Sequence, residues 1–155
     1  MRSSTLLRIA SVLTLLHAVL HTIGAVFGAP APGAQQAAVS AMKANHFVVM
    51  GFTRSFWDFY LGMGLGVGIF LTVEAIVFWQ LGAIAKTDAP RLRPLLATFL
   101  AGYVALAVNS YKFFFTPPVI TQLLIALCLG LAIARSAAVE VTPPEGIGSL
   151  RSQME

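Results

Sequence analysis

The sequence predicts an all-α fold: four transmembrane helices forming one membrane domain over residues 1–155. Three observations predict it. Of the 155 residues, 57% are hydrophobic and only 10% are charged, against about 25% charged in soluble domains. Mean hydropathy is +0.82. The apolar residues gather into four runs of about 20 residues or more, the length that crosses a hydrocarbon core. Four spans would use roughly half of these 155 residues, leaving one longer loop and short tails, so no soluble catalytic domain is expected among them. The net charge is +4 and the sequence pI about 9.7. In a soluble protein this balance would raise nucleic acid as a partner. Here the basic residues mark the ends of apolar runs, where topology accounts for them, and no nucleic-acid binding is expected.

The first span is expected over 6–28, behind Arg2 and Arg8. Its basic start resembles a signal peptide, but it is long for a signal core of 7–15 residues. Proline also follows both Ala29 and Ala31 directly, so the segment reads as retained. Pro30, Pro32 and Gly33 end the helix. Within 34–55, residues Ala37, Ala38, Ala41, Met42, Val48 and Val49 recur at roughly helical spacing. They predict a short amphipathic segment on the membrane surface in the first outer loop.

The second span, 56–85, opens with Phe56-Trp57-Asp58-Phe59-Tyr60, an aromatic cluster suited to the headgroup level. Gly62/Gly66 and Gly64/Gly68 follow as two small-xxx-small pairs on nearly opposite faces. They predict a helix packed closely on two sides. A basic turn from Lys86 to Pro94 leads into the third span, 94–115. Thr116-Pro117-Pro118 turns the chain into the fourth, 118–138. Residues 140–155 carry Pro143, Pro144, Gly146 and Gly148 and read as a flexible tail. Short connections predict up-down-up-down order.

Orientation follows from the basic residues. Arg2, Arg8, Lys86, Arg91, Arg93, Arg135 and Arg151 fall on one side; Lys43, Arg54 and Lys112 fall on the other. The positive-inside rule places the larger set, and with it both termini, in the cytoplasm. The 29–55 connection and the Pro117-Pro118 turn then face outward.

Polar side chains within spans are costly and often functional. His17, His21, Asp58, Asn109 and Lys112 all fall in the outer half, with His46 and Arg54 in the loop above. These seven are the candidate ligand-binding residues. His17 and His21 are spaced i, i+4 and share a helix face. They can chelate one metal ion given a third ligand such as His46 or Asp58. They cannot supply both axial ligands of one haem, which approach from opposite sides. A packed, hydrogen-bonded pair is the structural alternative. Asp58 stands where the helix dipole favours a negative charge. The alternatives are that Ser55 or Asp58 simply caps the second helix, or that Asp58 pairs with Lys112, Arg54 or a histidine. Lys112 can equally snorkel outward to the headgroups. The inner half has one main ionisable group, Glu74, with Arg8 or Arg135 as ion-pair partners. Cys128, the single cysteine, reads as a small apolar residue. There is no phosphate loop, nucleophile elbow, zinc-protease helix or redox cysteine pair.

Three stretches carry a resemblance: Ser55-Phe56-Trp57-Asp58-Phe59-Tyr60-Leu61-Gly62, the His17/His21 pair before a glycine-rich helix end, and Phe113-Phe114-Phe115-Thr116-Pro117-Pro118. In these the chain resembles small bacterial four-span membrane proteins of unassigned function. Its plan is similar to that of the DoxX-like four-helix membrane proteins. The resemblance implies a bacterial cytoplasmic (inner) membrane and brings no activity with it.

The leading functional expectation is a non-enzymatic module that binds a hydrophobic ligand, such as a lipid or quinone-like molecule, or a partner membrane protein, through the outward polar cluster. Membrane lipids and a second copy or partner membrane protein are the expected partners, and no cofactor is expected. The alternatives are an enzyme using a histidine–carboxylate pair such as His21 and Asp58 on a lipid-soluble substrate, and a metal- or haem-binding protein built on His17 and His21. No catalytic residue is assigned.

Overall fold

A computed structural model describes residues 2–140 of the chain. Arg151 and the expected tail from 141 onward lie outside the described residues. Helix α1, Ser3–Leu20, runs on through a wider π-helical turn at His21–Val26. Helix α2 is Ala34–Ala44, and β1, His46–Val49, pairs antiparallel with β2, Phe52–Ser55. Helix α3 is Phe56–Ile84. A short 3₁₀ turn, Pro90–Leu92, opens α4, Arg93–Phe113, and α5 is Thr116–Glu140. Among the described residues four helical segments are long and apolar enough to cross a membrane: Ser3–Val26, Phe56–Ile84, Pro90–Phe113 and Thr116–Ala137.

The surface says the same. Only 22–28% of each apolar segment is buried, and Val12, Ile23, Phe27, Ile69 and Phe70 are well exposed. The buried face of α1 is mostly small or hydroxylated, with Ser3, Ala10, Ser11, Thr14 and Ala18 beside Leu6 and Leu7. Large apolar groups facing outward and small residues at close helix contacts suit lipid, because lipid tails give no hydrophobic drive and close approach supplies the attraction. In water, apolar surface this continuous would aggregate.

The chain forms two compact units, one made of residues up to 10 with those from 78 onward, the other of Ser11–Val77. In the first, α4 and α5 pack along each other after the brief Phe114-Phe115 connection. The centre is aromatic. Phe78, fully buried, meets Phe99 edge-on at 5.0 Å and Tyr103 at 6.0 Å. Leu7, Leu96, Ile125 and Leu129 are also buried in this unit. Polar contacts join this unit as well. Ser3 donates to the Ala132 carbonyl and meets the Ser136 hydroxyl, both at 3.2 Å. A serine signals little in sequence, yet a small hydroxyl is what two close backbones can accommodate. The Arg8 guanidinium lies 4.8 Å over the Trp79 ring.

In the second unit, α1 and α3 are joined by side-chain-to-backbone bonds. Ser11 donates to the Ala75 carbonyl at 2.6 Å, and Tyr60 to that of Ala25 at 2.7 Å. A Cβ on Gly68 would stand 2.6 Å from Thr22 Oγ1, and one on Gly64 2.9 Å from Val26 Cγ2. Only this glycine face is packed. A Cβ on Gly62 or Gly66 would meet nothing, so the expected two-sided packing is one-sided. The π turn serves this contact. In an α-helix each four-residue step overshoots a full turn by about 40°, which would carry Val26 off the face shared by Ala18 and Thr22. The wide turn, closed by the bond from Phe27 N–H to the Thr22 carbonyl, brings it back.

The apolar spacing through Val48 and Val49 predicts more helix than forms. Helix α2 stops at Asn45, whose backbone and side-chain N–H groups both donate to the Ala41 carbonyl. Phe47-Val48-Val49 is rich in residues that favour strands. The tip is a two-residue turn with φ +49° at Met50 and +86° at Gly51. Gly51 takes that conformation freely, whereas a residue with a side chain pays about 1–2 kcal/mol. Phe47 anchors the hairpin on α3, against Phe56 at 4.8 Å and stacked on Phe59 at 6.0 Å.

Candidate functional site

The seven candidate residues divide between the units. Asn109 and Lys112 lie on the last turns of α4, both exposed. Lys112 suits that position, since a cation there meets the negative end of the helix dipole. The other five belong to the second unit.

His17 and His21 share a face of α1, as their spacing requires, and both are half-buried. The His21 ring is committed: Nε2 hydrogen-bonds the Gly64 carbonyl at 2.9 Å. Its access to that backbone depends on the packed glycine face. His17 Nδ1 is buried with no hydrogen-bond partner among the described residues. Among those residues no three His, Cys, Asp or Glu side chains gather to hold a metal ion.

Asp58 forms the cap that its position allowed. The Ser55 backbone N–H and hydroxyl donate to its Oδ2 at 2.7 and 2.9 Å, and the Asp58 N–H donates to Ser55 Oγ at 3.2 Å. This reciprocal capping box satisfies donors left open at the start of α3. Asp58 and His21 are not joined. The carboxylate is held on Ser55, while the His21 ring is tied to Gly64, about 9 Å further along the α3 axis. His46 is exposed, its Nδ1 on the Ala44 carbonyl at 3.1 Å. Arg54 donates to the Thr53 carbonyl and lies 5.4 Å from the Phe52 ring centre. It also lines a shallow groove of about 350 Å³ with Asp58, Phe59, Gly62 and Met63.

The more chemically defined site lies among residues that sequence reasoning assigned to other duties. A cavity of about 370 Å³ opens where the π turn, the following loop, α2 and α3 converge. Val26, Phe27, Pro30, Val39 and Leu61 make its apolar wall, and Lys43 and Trp57 stand at it. Lys43 Nζ sits 4.4 Å over the Trp57 ring, and Trp57 stacks on Tyr60 at 5.2 Å. In sequence, Lys43 reads as a topological charge and Trp57 as an interfacial aromatic. The available signal was charge: from Phe27 to Trp57 there is no acidic residue, yet Lys43, His46 and Arg54 are present.

Four apolar helices with a cavity beside the start of one of them define a multi-pass membrane protein. Comparison with protein-family models, curated proteins and solved structures finds no match, so its chemistry is read from its own side chains.

Proposed function

We propose that this protein binds an amphiphile with an anionic head in the Lys43/Trp57 cavity, drawing it from the leaflet in which α3 begins. That leaflet is taken as the outer one of a bacterial cytoplasmic membrane, with both termini inside and the spans alternating in direction. The observation that carries the reading is the Lys43 ammonium, held on an aromatic face beside an apolar recess. The ring steadies the cation and leaves its remaining N–H donors for carboxylate or phosphate oxygens. A volume of about 370 Å³ suits a head group and the first part of an acyl chain, at the lower end of ligand cavities.

The test uses a Trp79→Phe background, which leaves Trp57 as the reporter. Titration with a brominated fatty acid in nanodiscs should quench Trp57 saturably. Lys43→Gln should weaken the apparent affinity about tenfold, the effect of losing ~1.4 kcal/mol, while thermal stability is kept. Linear, unsaturable quenching that is identical in wild type and Lys43→Gln would remove the reading.

A further inference from the structure

We infer that the hairpin tip, Val48 to Phe52, is seated in the lipid at the boundary between headgroups and acyl chains, with Arg54 on a lipid phosphate. Three observations converge on this. The first is exposure: Met50 is 92%, Val48 72% and Phe52 62% exposed, an apolar tip left open among the described residues. The second is depth. The hairpin leans along the flank of α3, since Phe47 packs on Phe56 and Phe59. Arg54 shares its groove with Gly62 and Met63, whose backbone lies about 10 Å down the helix from Ser55. The hairpin therefore sits at the level of α3's first two turns, where the Trp57/Tyr60 stack marks the membrane interface. A four-residue strand spans about 13 Å, so the tip stays within reach of the acyl boundary.

The third observation is charge, and it selects the occupant. The connection from Phe27 to Trp57 has basic residues and no acidic one. Arg54 presents a planar donor fork that suits phosphate, and Met63 and Phe59 beside it are exposed apolar surface. Apolar side chains with basic neighbours are what an anionic phospholipid surface attracts, and the one carboxylate lining the groove, Asp58, is held by the Ser55 N–H and hydroxyl. This inference does not depend on occupancy of the Lys43 cavity.

The test is spin-label accessibility in vesicles of phosphatidylethanolamine and phosphatidylglycerol. In a Cys128→Ala background, labels are placed at Met50→Cys, at Ile69→Cys on the exposed apolar flank of α3, and at Gln36→Cys on the exposed side of α2. The Met50 label should collide with oxygen in preference to a water-soluble nickel chelate, as the Ile69 label does. Adding Arg54→Gln should lower that preference about fivefold, the loss of one basic contact with an anionic surface. Nickel access equal to that of Gln36 overturns the inference, because the tip is then in water. Protection from both reagents overturns it in favour of a second copy or a protein partner. An oxygen preference unchanged by Arg54→Gln removes the phosphate contact. All label sites are exposed, and matched circular dichroism spectra establish that the variants fold alike.

Discussion

Around Phe78 the helices meet through rings and branched aliphatic chains; around Gly64 and Gly68 they meet with almost no side chain between them. The first unit fills its interior with Phe78, Phe99, Tyr103, Leu96 and Ile125. The second brings backbones together and binds them with small polar groups: Ser11 to Ala75, His21 to Gly64, Tyr60 to Ala25. Because lipid removes most of the hydrophobic drive between helices, both solutions rest on contact density and on hydrogen bonds. They differ in what they leave over. A ring-filled interior uses its volume, whereas a glycine contact is narrow and leaves room for a recess at its end. The cavity with Lys43 lies in the second unit.

The comparison yields graded tests. Phe78→Ala should be the most damaging, costing about 3 kcal/mol as a large ring leaves a void. It is read as a fall in the thermal midpoint in detergent. Gly68→Ala should cost about 1–3 kcal/mol by overpacking, because Thr22 Oγ1 in its path is already held by the Ala18 carbonyl at 2.8 Å. Gly62→Ala, facing open space, should be neutral or gain up to about 1 kcal/mol from helix propensity. Equal damage from the two alanines would mean that the open face is occupied in the membrane, and the contrast between the glycine pairs would fail. Ser55→Ala should cost about 1 kcal/mol as the cap is lost. Asp58→Ala should cost a similar amount, and the double variant little more, since both substitutions break one box. A fully additive double variant would give Asp58 a role beyond capping.

The spans were legible in the sequence because hydropathy and helix length are tied directly to bilayer thickness, and Ser55 and Asp58 were each legible as a cap candidate at a helix start, but not as one reciprocal box. The choice between glycine pairs was not, since both faces of a helix read alike until a neighbour is present. The hairpin was hidden by its turn: Met50 stands where asparagine or glycine is customary, so the strand-favouring Phe47-Val48-Val49 was absorbed into a helical period. His21 was visible as a polar group in a span, but its partner is a backbone carbonyl, which no residue code announces. Lys43 and Trp57 each had a sufficient everyday explanation, and only their stacking beside an apolar recess gives them another.

The widened turn at His21–Val26 also sets the helix's phase at its exit. If that segment wound as ordinary α-helix at the same length, everything after it would be rotated by about 100°, one residue's worth of turn. Phe27, Pro30 and α2 would then leave the helix on a different bearing, and Val39 and Lys43 would swing away from Trp57. Every cavity residue would still be encoded and the hydropathy profile unchanged, but the recess would be dismantled. The recess is thus set by how the backbone winds in that one turn as much as by the identities of the residues that line it.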